Sequence, residues 1–239
     1  MMKLLRIIWA HYAFFIFGAS FMALLPFFCI PIIFPRLFKL VGVIDYVWGL
    51  LFFNLSFIRY KIICRAKYDR KKQYILCPNH FSYLDIPAMG FAPISCIYVG
   101  KIAMKKIPFF GFMYSRLHIL VDRERLKSRG VAMQACIDAL EMGKSLIIFP
   151  EGGVVTKNPP QLAPFKDGAF RSAIEKQVPI VPVTMPHSWK ILPDKIPFRL
   201  YCGKVKIIYH EPIETAGKEL EQLKAEVRKV MQDELDRWN

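Results

Sequence analysis

The chain is short of acid. Its 239 residues include 19 Asp and Glu against 34 Lys and Arg, leaving a formal net charge of +15. Charge of either sign is also scarce, at 22% of residues against 54% hydrophobic, which excludes a largely disordered polymer. The six cysteines (Cys29, Cys64, Cys77, Cys96, Cys136, Cys202) form no CxxC pair and no regular framework. Most sit in apolar runs such as Ile62-Ile63-Cys64 and Ile75-Leu76-Cys77, so they read as small core hydrophobes in a reducing compartment. Five scattered histidines lack metal-ligand spacing such as HExxH, and no metal site is expected. Internal repeats and low-complexity segments are absent. The length suits one catalytic-size domain with an appendage.

What is present is grease and positive charge together. Mean hydropathy is +0.28, high for a wholly soluble globule. Residues 1–60 carry net +4, residues 61–130 carry net +10 and the remainder carries +1, so the positive charge follows directly on the greasiest segment. That placement favours an anionic membrane surface or a phosphorylated ligand over a neutral metabolite. Basic charge alone would also suit nucleic acid, but no recognisable module accompanies it and the apolar N-terminus argues against that partner.

From Ile7 to Pro35 there is no Lys, Arg, Asp or Glu, and after Arg36 and Lys39 residues 40–58 are apolar except for Asp45 and Asn54. Crossing ~30 Å of hydrocarbon takes about 20 helical residues, so the first run is long enough and the second just qualifies. Pro26, Pro31 and Pro35 should bend or end the first helix. A cleaved signal peptide fits poorly, because the apolar run continues well past the usual region and Ala19-Ser20 is a weak cleavage site. Two spanning helices and a re-entrant or in-plane hairpin both remain open. Basic residues flank every junction, so they select no orientation. The expected organisation is a membrane-anchoring helical segment over residues 1–59 and a catalytic domain over 60–239.

Past Tyr60 the pattern alternates. Strands are expected at 74–77, 94–99, 118–121, 145–149, 180–184 and 205–209. Helices are expected at 126–142, closed by Gly143, at 165–177, and in the final stretch, where Leu220, Leu223, Val227, Val230 and Met231 share one face. This predicts an α/β fold: a layered mixed sheet with flanking helices, preceded by an N-terminal membrane-embedded helical hairpin.

Three stretches carry chemistry. In Asn79-His80-Phe81-Ser82-Tyr83-Leu84-Asp85 the His and Asp lie five apart, about 140° around a regular helix, so they meet only if the chain turns between strand and helix. In that turn Asp85 would fix the imidazole tautomer and leave the other nitrogen of His80 as a general base. The alternative is a polar loop with Asp85 as a helix cap. Second, an apolar run ends in Phe149-Pro150-Glu151-Gly152-Gly153, where glycines allow close backbone approach to a substrate, or merely an ordinary turn. Third, residues 100–111 interleave Lys101, Lys105 and Lys106 with apolar side chains, as a surface would that holds an anionic head group beside lipid. As a charge cluster alone it would be a solvated face. Ser82 and Cys77 lie near His80 in the chain, but a turn hydroxyl and a buried thiol are their better readings.

Four blocks in order resemble the glycerolipid acyltransferase family, specifically 1-acylglycerol-3-phosphate (lysophosphatidic acid) acyltransferases of bacterial type. They are Asn79-His80-x4-Asp85, the 101–123 region with Pro108 and Gly111, Phe149-Pro150-Glu151-Gly152, and Val178-Pro179-Ile180-Val181-Pro182. The resemblance implies transfer of a fatty acyl group from an acyl carrier protein or coenzyme A thioester to the 2-hydroxyl of lysophosphatidic acid. It implies no metal and no cofactor, with membrane phospholipids as partners and an inner-membrane location facing the cytoplasm. His80 then corresponds to the base and Asp85 to its orienting partner. Lys101, Lys105 and Arg123 fall in the block associated with acceptor phosphate, and Glu151 and Gly152 in another acceptor-binding block. One departure stands out: the family commonly continues Glu-Gly-Thr-Arg, whereas here the chain reads Glu151-Gly152-Gly153-Val154, leaving Lys157 or Lys166 to substitute for the arginine. An amino-acid-based lysolipid is therefore an alternative acceptor. Lipid hydrolysis and a nonenzymatic anionic-membrane adaptor are more distant alternatives.

Overall fold

The computed structural model describes residues 1–122 and 126–238. Two apolar helices come first, α1 (Met2–Ile33) and α2 (Leu40–Leu55). Pro26 and Pro31 lie inside α1 without ending it; each removes one backbone donor, and the helix continues across the gap. Pro35 does end it. The residue before a proline is pushed out of helical geometry, and Phe34 accordingly has φ −117° and ψ 81°. The second helix is shorter than the apolar run that contains it. At 16 residues it spans roughly 24 Å, short of a ~30 Å hydrocarbon core, so only α1 has the length to cross one. The reason lies downstream: Arg59 already belongs to a strand.

That strand, β1 (Arg59–Cys64), is absent from the sequence expectation, which took its basic residues as membrane-flanking charge. The rest follow as β2 (Ile75–Pro78), β3 (Cys96–Lys101), β4 (Ile119–Val121), β5 (Ser145–Ile147), β6 (Ile180–Thr184) and β7 (Lys204–Tyr209). They form one mixed sheet in the order β1-β7-β6-β2-β5-β3-β4. All neighbours are parallel except β6 and β7, so β1 and β7 run against the other five. The interleaved helices are α3 (Asp85–Ala88), α4 (Phe110–Leu117), α5 (Leu126–Glu141), α6 (Gly168–Lys176), α7 (Ser188–Ile191) and α8 (Leu220–Arg237). Gly143 lies just past α5 with φ +81°, the left-handed geometry its cap position requires.

The sheet is buried on both faces, and alternate residues of a strand belong to different cores. In β2, Leu76 packs with Ile147, Val183, Val205 and, from the hairpin, Ala10, Ala13, Phe52 and Phe53. Its neighbours Ile75 and Cys77 point the other way, to Cys136, Leu140, Phe170, Leu223, Val227 and Met231 of α5, α6 and α8. The anticipated apolar stripe of α8 is this face, with Leu223, Val227, Met231 and Leu235 fully buried. Cys77, Cys96 and Cys136 are core residues as expected, but Cys64 and Cys202 are exposed, Cys64 because its strand forms the sheet edge.

The hairpin is thus packed into the same core as the sheet on one side. On the other it leaves Leu4, Leu5, Ile8, Phe15, Met22, Phe27, Ile33 and Phe34 exposed. Phe53 is one of the contacts that couple the two, fully buried against Tyr60 and Phe91 with ring centroids at 5.3 and 5.5 Å. Phe53→Ala should cost about 3–5 kcal/mol by leaving a cavity there, lowering the melting temperature of the micelle-solubilised protein by on the order of 10 °C. A melt within two degrees or so of the unaltered protein would mean that the hairpin does not share the domain's cooperative unit.

Candidate functional site

Because β2, β3, β5 and β6 are parallel, the segments following them emerge at one edge of the sheet. Asn79-His80 follows β2, Phe149–Gly152 follows β5, Lys101 closes β3 and Met185 follows β6. This is the edge at which open α/β sheets place their ligands. Asn79 continues the ladder, donating its amide to the Val183 carbonyl at 3.2 Å. Its side chain then grips Met185 at both ends, accepting from the Met185 N–H at 2.7 Å and donating to its carbonyl at 3.3 Å. His80 therefore departs from a rigid point.

Between His80 and Asp85 the chain makes the required turn. Asp85 Oδ2 accepts from the N–H of Phe81 at 2.7 Å and of Ser82 at 2.8 Å, and lies 3.1 Å from His80 Nδ1. The Asp85 N–H returns to the Ser82 carbonyl at 3.1 Å. The Ser82 hydroxyl accepts from Leu84 N–H and donates to the Leu192 carbonyl at 2.8 Å, tying the turn to the chain beyond α7. An oxygen already accepting two amide hydrogens is an acceptor toward the imidazole too, so Nδ1 carries the hydrogen and Nε2 is left as a basic nitrogen. Asp85 is fully buried, whereas His80 is 8% exposed and its ring stacks on Phe149 with centroids 4.2 Å apart. Orientation on one side and a flat apolar wall on the other leave the imidazole little freedom.

Glu151 is 2% exposed and both its oxygens are taken by the backbone. Oε1 accepts from the His80 N–H at 2.8 Å and Oε2 from the Ala163 N–H at 2.9 Å. It thereby joins the His80 turn, its own strand end and the returning loop. Burial pushes its carboxyl up to about 7; the two amide donors and the nearby His80 oppose that rise, and Asp85 adds to it. Gly152 and Gly153 have φ +86° and +150°, conformations that a side chain would strain, and they turn the chain away from the carboxylate.

Of the residues selected from the sequence, His80, Asp85, Glu151 and Gly152 come together directly. Lys101 and Lys105 are exposed, the first ending β3 and the second in the 3₁₀ turn Ile102–Lys106. The exposed side chains Ile102, Ile107, Phe109 and Phe112 surround that turn. Lys157 is exposed in the loop after Glu151 and lines an open cleft with Phe81. Arg123 lies outside the described residues. Cys77 and Ser82 offer no nucleophile: the thiol is fully buried and pushed to high pKa by that burial, and the hydroxyl is spent on Leu192. Sequence reasoning did not select Asn79, Phe149 or Ala163 as supports of the site. Only the Asn79 and Phe149 positions carried a signal, being within the matched blocks.

Comparison with known proteins bears on the family and the fold. Residues 60–186 match the family model described as Acyltransferase. A 1-acyl-sn-glycerol-3-phosphate acyltransferase of Escherichia coli is 31% identical over 84% of this chain and 82% of its own. That of Helicobacter pylori is 31% identical over 67% and 66%, respectively. A chloroplastic enzyme of the same name from Brassica napus is 32% identical over 56% of this chain, which spans only 39% of that longer relative. The crystal structure of the 1-acyl-sn-glycerophosphate acyltransferase from Thermotoga maritima superposes with a TM-score of 0.82 over 100% of this chain and 98% of that one, at 22% identity, and so shares the fold.

The buried Glu151 has a consequence for stability. Its native carboxyl keeps a proton up to about pH 7, whereas the unfolded chain releases it in the ordinary carboxylate range. Between those values the folded state binds more protons, so this group's contribution to stability is present at the acid end and is lost as pH rises to about 7. Glu151→Gln should abolish that slope. Melting temperatures of both proteins from pH 4.5 to 8 would test it: the expected difference between them changes with pH below about 7 and is level above, and a difference that is level throughout rejects the assignment.

Proposed function

Since the chain belongs to the acyltransferase family, we propose that it is a membrane-bound O-acyltransferase. It moves a fatty acyl group from a thioester to the sn-2 hydroxyl of 1-acylglycerol-3-phosphate, giving phosphatidic acid. The observation that carries this reading is the His80–Asp85 contact, held in the turn by two further backbone hydrogen bonds. His80 Nε2 removes the acceptor's hydroxyl proton as its oxygen attacks the thioester carbonyl. Asp85 stabilises the imidazolium that results. The tetrahedral intermediate then expels the thiolate, which recovers the proton from His80, so no covalent enzyme intermediate is needed. Neither a metal nor an organic cofactor enters the reaction, and acyl carrier protein or coenzyme A acts only as the acyl carrier.

The anionic acceptor is assigned to Lys101, Lys105 and Arg123 of the 101–123 block, which begins at the end of β3. A phosphate monoester must exchange part of its hydration for cationic donors, and Lys105 sits among exposed apolar side chains suited to the acyl tail. Val154 stands where the family commonly has a phosphate-contacting arginine, and this favours, as a second reading, the same transfer to another lysolipid. The exposed apolar side of the hairpin supports attachment to the bilayer through residues 1–58, with the His80 site at the cytoplasmic surface of the inner membrane.

His80→Ala should lower acyl transfer by at least about a hundredfold, since general-base catalysis supplies roughly 10²–10⁴. Asp85→Asn should be severely impaired because an amide can select the wrong tautomer. Labelled thioester supplied with a panel of lysolipids gives the decisive readout: acylated lipid supports transfer, free fatty acid alone supports hydrolysis, and full turnover by folded His80→Ala removes the base assignment. For the acceptor, Lys105→Ala and Arg123→Ala assayed in neutral micelles should raise KM for lysophosphatidate selectively. Equal losses with a neutral lysolipid would reject the phosphate contact.

A further inference from the structure

Beyond α7 the chain runs through residues 192–203 before entering β7. This segment faces the loop 154–159 that follows Glu151, and between them lies an open cleft of about 1050 Å³ whose lining includes Phe81, the neighbour of His80. Four cations line it, Lys157, Lys190, Lys195 and Arg199, against a single carboxylate, Asp194. Among the described residues none of the four forms an ion pair. Some cations elsewhere are paired, among them Arg65 with Glu234, Lys176 with Glu141, Lys218 with Glu226 and Lys224 with Asp167, at 2.5–2.9 Å. Arg199 differs further, because its Nε is buried without a hydrogen-bond partner. Buried donors are ordinarily satisfied, so this guanidinium is incompletely served by the protein itself.

Arg199 is also held in place from both sides. Leu200 N–H donates to the Arg6 carbonyl at 3.0 Å, and the Arg6 guanidinium lies 4.5 Å from the Tyr201 ring centroid. On the other side Phe198 packs edge-on against Phe14 and Tyr83 at 5.2 and 5.6 Å. These contacts hold the backbone on either side of Arg199, and its guanidinium is the planar donor that suits a phosphate. Walls of low dielectric sharpen the attraction of the four like charges for an anion.

Which anion follows from the sheet. The acceptor phosphate is assigned to the block that begins at the end of β3, whereas most of the cleft comes from the chain after β6, on the opposite side of β2 and its His80, with the loop 154–159 after β5 as its other wall. Two substrates meet at His80, and the cleft suits the second. It is also larger than one phosphate needs, at the upper end of the roughly 300–1,000 Å³ of small-molecule sites. We propose that the cleft binds the phosphate-bearing arm of the acyl donor, the phosphopantetheine that coenzyme A and acyl carrier protein share. Arg199 is its principal contact, and Lys190 and Lys195 supply the surrounding field. This assignment rests on the thioester reading of the donor given above.

The test measures KM for donor and acceptor separately on the full-length protein in neutral micelles, with acyl-coenzyme A and acyl carrier protein thioester as two donor arms. Arg199→Ala should raise donor KM by roughly tenfold, the scale of one charged hydrogen bond, and leave acceptor KM within about twofold. Arg199→Lys should recover part of the loss. Lys190→Glu combined with Lys195→Glu, at exposed positions that should not disturb folding, should raise donor KM and flatten its salt dependence. Equilibrium dialysis of free coenzyme A or of the unacylated carrier protein, whichever matches the donor used, should show weaker retention by the variants. A rise in acceptor KM instead, or a loss confined to vesicle association, would overturn the assignment. So would donor KM unmoved in both variants while transfer proceeds. A wild-type protein that transfers from neither thioester would defeat the donor reading itself, a result distinct from all of these.

Discussion

One carboxylate oxygen organises the site. Asp85 Oδ2 gathers the amides of Phe81 and Ser82 and the imidazole of His80 within 2.7–3.1 Å. The two amide bonds close the turn, and the third contact aims the ring, so the peptide geometry and the state of the histidine are set by the same atom. A buried polar oxygen is costly unless it is hydrogen-bonded, and Oδ2 meets that demand three times over, whereas Oδ1 is buried without a partner. The aspartate thus closes the turn and faces the imidazole, but it does not cap a helix: it is the first residue of α3, and Leu84 holds the N-cap position without a side-chain bond.

Glu151 extends the same logic to a second loop. Its carboxylate bridges the His80 and Ala163 amides, which lie 83 positions apart in the chain, and so fastens the end of β2 to the region after β5. A carboxyl engaged in this way, its pKa held high by burial, anchors the His80 backbone. Beneath both loops, a sheet covered on each face supplies rigidity. The hairpin contributes one of those covers while keeping its outer side apolar and exposed, so a single element completes the core and offers a surface suited to lipid.

Much of the fold was legible before any coordinates. Strand runs and the apolar stripe of α8 follow from periodicities that report which side chains must leave water. The edge strand β1 was not legible: Arg59, Lys61 and alternating exposure look like the polar border of a membrane segment, and only pairing with β7, 145 positions later in register, makes it a strand. In the site, His80, Asp85, Glu151 and Gly152 stood out because their residue types and spacing have chemical meaning. Asn79 and Phe149 were visible only as members of matched blocks. Ala163 and the cleft cations Lys190, Lys195 and Arg199 had no local signature, since an amide N–H and scattered basic residues are ordinary until a surface collects them.

The sequence by itself determined the class of the molecule. Its apolar N-terminus, its alternation of strand and helix and its ordered blocks depend on residue type and short-range spacing, which survive without a structure. Tertiary structure alone decided what those residues do to one another. It converted a five-residue spacing into a 3.1 Å contact, turned Glu151 inward onto two amides, and set four unpaired cations around one opening beside Phe81. Such relations arise from long-range packing of strands whose order in the sheet differs from their order in the chain. No local pattern encodes a distance between segments that only the sheet brings together.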